Sequence, residues 1–166
     1  MKYYYMKNMY SLGLAIFLLF SISGCSFKNY ARSQPNIITI KTPTMKFSDI
    51  AYFHQDKDSV KIELYEAGIA VKTIEINRFV CSNEGCISKN AFNEDYLSGS
   101  YPDDLLKHIL RKEPIYDAKN LIKTNDGFTQ KIVTNRLNIS YMVKKDSMRF
   151  KDSINNILIK FKKMKP

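Results

Sequence analysis

An alternation of apolar and polar residues near the C-terminus constrains the fold of this chain more than any other feature. Residues 157–162 alternate in this way, and so do residues 137–144, where Ile139, Tyr141 and Val143 take the apolar positions. Successive side chains of a β-strand point to opposite faces, so each segment has one face suited to a core and one suited to water. The pattern predicts an antiparallel sheet that is buried on one side.

Further strands are predicted from the same alternation and from a high content of β-branched residues. They cover residues 37–40, 45–53, 59–66, 69–80, 128–134 and 147–151. In the segment 69–80 the apolar phase shifts between Val71 and Ile74, which predicts a β-bulge near Lys72. A turn is predicted at Gly68, and residues 87–92 are predicted to form a short strand or an irregular arm.

One amphipathic helix is predicted at residues 101–112, capped by Ser100 and ended by Pro114. Its apolar stripe consists of Leu105, Leu106, Ile109 and Leu110. Strands, one helix and then more strands predict an α+β fold, in which one principal amphipathic helix packs on an antiparallel β-sheet or incomplete barrel.

The N-terminal 24 residues have the three-part layout of an export signal. Lys2 and Lys7 give a basic start, and an uncharged, mainly apolar run follows from residue 11 to residue 23. A membrane-spanning helix needs about 20 apolar residues, and this apolar core is shorter. The segment is therefore interpreted as a signal peptide rather than a permanent transmembrane helix.

The apolar core ends in Ile22-Ser23-Gly24-Cys25, which resembles the lipobox of bacterial lipoproteins. The resemblance implies that the Cys25 thiol is diacylated, that the peptide is cut before it, and that the new amine is acylated. Two or more acyl chains give lasting attachment to a bilayer. Ser26 stands where enteric lipoproteins retained at the inner membrane have Asp, which favours the outer membrane. Two other locations, the inner membrane and the cell surface, remain as alternatives to the outer membrane. An ordinary secretory signal remains as the alternative to a lipobox.

Cleavage at this point would leave a lipidated tether, residues 25–35, and a single domain of ordinary size, residues 36–166. The domain is expected to face the periplasm. The formal net charge of the whole chain is +10, but export is hard to reconcile with a nucleic-acid partner. The C-terminal lysines are interpreted as a solvated strand face and tail, with contact to anionic head groups as the alternative. They are Lys160, Lys162, Lys163 and Lys165.

With Cys25 assigned to lipid, Cys81 and Cys86 remain. The four residues between them have turn chemistry, and the periplasm is oxidising, so these two cysteines are predicted to form a disulfide. A zinc site needs more ligands, and a redox site usually has two residues between its cysteines.

Sequence motifs for catalysis are missing. There is no phosphate-binding loop, dinucleotide fingerprint, nucleophile elbow or zinc-protease helix. His54 and His108 are the only histidines, and each is interpreted as an ordinary surface residue. No enzymatic activity, catalytic residue, metal or cofactor is therefore expected.

The whole mature domain resembles the superfamily of periplasmic lipoprotein carriers and outer-membrane lipoprotein receptors of the LolA and LolB type. The resemblance lies in the lipobox, in Tyr101-Pro-Asp-Asp-Leu-Leu before an apolar helix, in Gly127-Phe128, and in closing strands around Ile139-Ser-Tyr141 and Arg149-Phe150. It implies an incomplete β-barrel whose apolar face is covered by helices and accepts acyl chains. The chain differs from that pattern in having one predicted helix and no apolar protruding loop.

Two functions are consistent with these observations. In the first, the chain binds a lipid or a lipidated partner, such as another lipoprotein, in an apolar groove. The groove would be lidded by Leu105, Leu106, Ile109 and Leu110 and floored by Leu64, Ile74 and Tyr141. In the second, the chain is an interaction or structural module of the cell envelope, with a filled core and no ligand.

Overall fold

The computed structural model describes residues 35–164. Most of this part of the chain belongs to one antiparallel sheet of 11 strands. The first six strands are β1 (Pro35–Lys41), β2 (Lys46–Gln55), β3 (Val60–Glu66), β4 (Ile69–Ile76), β5 (Val80–Ser82) and β6 (Gly85–Ile87). The other five are β7 (Leu121–Thr124), β8 (Gly127–Val133), β9 (Asn138–Lys144), β10 (Ser147–Asp152) and β11 (Ile157–Lys163).

Two short helices, α1 (Lys89–Tyr96) and α2 (Leu105–Arg111), lie between β6 and β7, followed by a 3-10 turn at Tyr116–Ala118. The predicted α+β class with one principal helix is therefore wrong. The sheet dominates the fold, and neither helix is long enough to form a layer of comparable size. The predicted helix is shortened at its start because Pro102 and the residues after it form turns.

The strand order across the sheet is β6-β5-β4-β3-β2-β1-β11-β10-β9-β8-β7. The described chain thus begins at the centre of the sheet, runs outward to the β6 edge, crosses through the helices to the β7 edge, and returns to the centre. β11 pairs with β1, and the amide of Met164 donates to the carbonyl of Pro35 at 3.1 Å. The helical crossover connects the two edges of the sheet.

One face of the sheet, here called the inner face, carries the core. The alternation predicted in the last strands is observed, with Ile139, Tyr141 and Val143 buried in β9 and the residues between them exposed. The inner face also receives the four apolar residues of α2. The outer face carries the exposed residues of the same strands.

Most predicted strands are confirmed to within a few residues. The predicted bulge is confirmed as well, because Leu64 lies opposite Lys72 whereas Tyr65 lies opposite Ala70, which leaves Val71 as the extra residue of β4. The predicted turn is also present, with Ala67 and Gly68 both at positive φ between β3 and β4.

Three local predictions are wrong. Residues 89–92 belong to α1 rather than to a strand, because the Ser88 hydroxyl accepts from the Ala91 amide at 3.1 Å and caps a helix. The segment 115–125, predicted as a connector without regular structure, contains β7. Ser100 does not cap α2, whose N-cap is Asp104, without a side-chain capping bond.

The predicted signal peptide, the lipidation residue Cys25 and the predicted tether up to residue 34 lie outside the described residues. Within residues 35–164, neither helix is long and apolar enough to cross a membrane.

Candidate apolar binding site

An apolar pocket lies between the inner face of the sheet and the two helices. Its volume is about 40 Å³. The walls come from three sources: the sheet contributes Ile40, Ile62, Ile74 and Ile159, α2 contributes Leu106 and Leu110, and the α1 side contributes Phe92, Tyr96 and Leu97. Thr42, Met45 and Lys72 complete the lining. The pocket is therefore almost wholly hydrocarbon, with Lys72 as its one charged residue.

The predicted groove residues divide into two groups. Ile74, Leu106 and Leu110 line the pocket. The others are buried elsewhere in the core and do not line it; they are Leu64, Leu105, Ile109 and Tyr141. The side chains predicted by face to form a groove therefore serve mainly as core.

Sequence reasoning missed the contribution of α1 to the pocket. The rings of Phe92 and Tyr96, one helical turn apart, stack with their centroids 4.8 Å apart and form one wall. Their spacing of four residues, following a capping Ser88, was the signal that could have identified this helix.

Side-chain hydrogen bonds join α1 to its own connecting loop, while Phe92 packs against the core. Its one buried residue is Asn93, whose side-chain amide donates to the carbonyls of Tyr101 at 3.4 Å and Pro102 at 3.2 Å. The Lys89 ammonium donates to the Asp104 carboxylate at 2.7 Å, and this contact lowers the pKa of Asp104. These bonds hold α1 and the loop together as a unit.

That loop is fixed to the sheet by a buried hydrogen-bond network. The Tyr101 hydroxyl donates to the Asp152 carboxylate at 2.8 Å, which also accepts from the Asn155 side chain at 2.7 Å and the Asn138 amide at 3.1 Å. Burial alone would raise the pKa of Asp152, but the hydrogen bonds outweigh it and lower the pKa. Burial, followed by the Asp152 contact, raises the pKa of Tyr101.

A second, wetter cleft adjoins the pocket. Its volume is about 280 Å³, and it lies between α1 and the β5–β6 hairpin. Lys72, Phe92 and Tyr96 line both spaces, so α1 is the partition between them. The Lys72 ammonium lies 3.7 Å from the Glu84 carboxylate and 5.8 Å from the centroid of the Tyr96 ring.

The far wall of this cleft contains a disulfide. Cys81 and Cys86 are directly opposite each other in β5 and β6, and their sulfur atoms are 2.13 Å apart. The disulfide therefore closes the β5–β6 hairpin covalently, across the cleft from α1.

Two buried polar side chains complete the inner face. Gln130 accepts from the Ile115 amide at 2.8 Å and donates to the Ile115 and Lys119 carbonyls at 2.9 Å and 2.8 Å. It thereby fixes the chain between α2 and β7. Burial raises the pKa of Tyr141, whose hydroxyl has no hydrogen-bond partner in the described part of the chain.

The histidines do not form a catalytic arrangement. His54 lies on the outer face, with its Nε2 atom 3.3 Å from the Glu63 carboxylate. His108 lies in α2 near the Arg111–Glu113 ion pair, which has an N to O distance of 2.7 Å. Among residues 35–164, no group of three or more His, Cys, Asp or Glu side chains is arranged to hold a metal ion.

No protein-family model matches the sequence, and no curated protein matches it significantly. The pocket, the cleft and the surfaces around them are therefore the features that bear on function.

Proposed function

We propose that this chain is a membrane-anchored envelope lipoprotein that binds an acyl chain, from a lipid or a lipidated partner, in the apolar pocket beneath α1. The observation that carries the proposal is the pocket itself, whose lining is almost wholly hydrocarbon, with Thr42 and Lys72 as the polar contributions. Its position under a helical cover on one face of an antiparallel sheet supports the resemblance to lipoprotein carriers.

The size of the pocket implies movement on binding. Sites for small molecules usually enclose roughly 300–1,000 Å³, whereas this pocket has about 40 Å³. An acyl chain would enter only when α1 swings away from the sheet and joins the pocket to the adjoining cleft of about 280 Å³. Asn93 is the one fully buried residue of α1, and Phe92 packs against the core only in part.

Lys72 suits the polar end of such a ligand. It stands where the pocket meets the cleft, and its partner Glu84 is largely exposed, with 73% of its side chain accessible. Exposed ion pairs contribute little stability, about 0–1 kcal/mol. A carboxylate or phosphate at the end of an acyl chain could therefore replace Glu84 at modest cost.

Fatty-acid binding tests this proposal directly. A chain beginning at residue 26 would be titrated with a fluorescent long-chain fatty acid, and saturable binding is expected. Ile74→Phe should abolish binding because the added ring fills the pocket. Val71→Phe is the matched control, since Val71 lies on the same strand and is 43% exposed. Absence of binding by the unmodified chain, or equal binding by both variants, would contradict the proposal.

The anchor needs its own test. Mass spectrometry of the full-length protein isolated from membranes is expected to find an N-terminal peptide that begins at acylated Cys25. Cys25→Ala should eliminate this peptide and release the protein from the membrane. A free, unlipidated N-terminus would instead indicate a secreted or periplasmic domain.

One observation favours the second candidate function. A volume of about 40 Å³ has room for only a few water molecules, at roughly 10–15 Å³ each, which suits an envelope interaction module without a ligand. In that case the unmodified chain would bind no fatty acid, while Cys25 would still be acylated. Fatty-acid binding therefore separates the two functions, and the acylation experiment tests the anchor that both share.

A further inference from the structure

The outer face of the central strands carries a regular array of cations. Lys131, Lys151 and Lys41 occupy equivalent outward positions on β8, β10 and β1. Neighbouring strands are about 4.8 Å apart, so cations on alternate strands repeat about every 10 Å. Lys46 of β2 continues the same row beside Lys41.

A second row lies one pleat further along the strands. Arg149 of β10 is directly opposite Lys160 of β11, just as Lys41 is directly opposite Lys46. Like charges directly opposite each other on a sheet destabilise it. The fold thus retains a charge arrangement that an external layer of negative charge would stabilise.

The two rows have no compensating carboxylates. The outward positions of β8, β9, β10, β11 and β1 contain no Asp or Glu. The six cations are exposed, and none forms a salt bridge with another residue between positions 35 and 164. The array therefore has unneutralised positive charge along six neighbouring strands, from β8 to β2.

Exposed apolar side chains lie among these cations. Ile37, on β1, is 50% exposed and lies opposite Lys162, and Met142, on β9, is 41% exposed and lies opposite Arg149. Cations mixed with aliphatic side chains suit a surface that offers both negative head groups and hydrocarbon.

The point where the described chain begins brings this face within reach of a bilayer. Pro35 starts β1, which lies near the middle of the cationic strands. Pro35 lies ten positions after Cys25, and ten extended residues span at most about 36 Å. A chain held at Cys25 could therefore lay the outer face of the sheet on the same membrane.

We propose that the outer face of β8 to β11 and β1 docks on a membrane surface rich in anionic phospholipid. This inference uses the N-terminal anchor of the proposed function but is independent of the apolar pocket. Docking would leave the opposite, helix-covered face turned away from the membrane.

Lysine acetylation of the full chain on vesicles tests the proposal. The protein isolated from membranes would be mixed with vesicles of phosphatidylcholine, with or without phosphatidylglycerol, and treated with a water-soluble acetylating reagent. Mass spectrometry is expected to find slower modification of Lys41, Lys151 and Lys160 on the anionic vesicles. About 1 M salt, at which the screening length is about 3 Å, should remove the protection. Lys107 and Lys119, on the helical side, should react equally in all conditions.

Charge reversal sharpens the test. Arg149→Glu combined with Lys160→Glu should weaken docking by roughly fivefold or more for each lost cation, and Lys41 and Lys151 should then react as they do on neutral vesicles. Lys107→Glu combined with Lys119→Glu is the matched control and should leave their protection intact.

The possible outcomes distinguish attachment through the N-terminal anchor from docking of the outer face of the sheet. Protein that floats with both kinds of vesicle but shows equal lysine reactivity is anchored without docking and overturns the proposal. Protein that floats only with anionic vesicles and shows the protection supports the proposal and contradicts the anchor. Protein that floats with neither contradicts both.

Discussion

The two helices cross the same face of the sheet but contribute differently to the fold. α2 has seven residues and buries four of them, Leu105, Leu106, Ile109 and Leu110. α1 has eight residues and buries only Asn93, a polar side chain. The difference indicates that α2 is part of the core, whereas α1 is a cover that packs against the core through partly buried residues such as Phe92. The pocket lies where these two modes of packing meet.

The largest expected effect comes from truncating α2. Ile109→Ala should lower the free energy of unfolding by about 2–5 kcal/mol, because Ile109 is 1% exposed and its loss leaves a cavity. Phe92→Ala, on α1, should cost less despite the larger side chain removed, since Phe92 is only partly buried. Urea unfolding measures both. Equal losses would mean that α1 is as firmly packed as α2.

The second-largest loss in the free energy of unfolding is expected from disrupting the hydrogen-bond network of Tyr101 and Asp152. Asp152→Asn replaces a carboxylate oxygen, which accepts hydrogen bonds, with an amide NH₂ group, which can only donate. Because the neighbouring groups are also donors, we expect the free energy of unfolding to fall by about 1–3 kcal/mol. A carboxyl whose pKa is lowered by folding stabilises the fold above its ordinary pKa of 3.8. That contribution is lost as the pH falls through the lowered value.

The pH dependence of this variant provides the control. Unfolding measured at neutral pH and again below pH 4 should show a gap between the unmodified chain and Asp152→Asn that narrows in acid. A gap that stays constant over this range would show that the charge of Asp152 does not stabilise the fold.

Removing the disulfide should have a smaller effect. The combined variant Cys81→Ser and Cys86→Ser should lose about 2 kcal/mol or less, since the bond closes a short loop at one edge of the sheet. Hydrogen exchange should speed up in β5 and β6 and leave β9 and β10 unchanged. Faster exchange throughout the sheet would show that the disulfide-closed hairpin stabilises the whole sheet and not only the wall of the cleft.

Lys89→Met should have the smallest effect on overall stability, below about 1 kcal/mol, because the Asp104 side chain is 49% exposed. Its local effect should be clearer, with faster hydrogen exchange in α1 because the contact from the start of this helix to Asp104 is lost. Lys123→Met, at an exposed position of β7, is the control. Unchanged exchange in α1 would mean that Asn93 alone holds this helix.

The sequence was most informative where a segment buries one face and exposes the other. The strands of residues 137–162 could be predicted because their alternation follows directly from one buried and one exposed face. The bulge at Val71 could be predicted because an extra residue must shift the apolar phase. Both features are set by local geometry.

The remaining features depend on contacts that local patterns do not encode. Residues 89–96 have few aliphatic positions, so the helix there gave no strong stripe, and its apolar wall is two aromatic rings. The role of Asp152 depends on Tyr101, 51 residues away in the chain. The groove was predicted from the apolar stripe of α2, but tight packing against the sheet buries Leu105 and Ile109 in the core and leaves only Leu106 and Leu110 at the pocket.

The central pairing of β1 with β11 has a consequence for the order of folding. These two strands are neighbours in space, although almost the entire described chain separates them. The hairpins of each half can form from local contacts, but the seam between the halves must wait until the last strand is available. Folding dominated by such distant pairings is slow. A nascent chain lacking β11 would expose the edge of β1, so a cell would need to keep it from pairing with other chains until synthesis is complete.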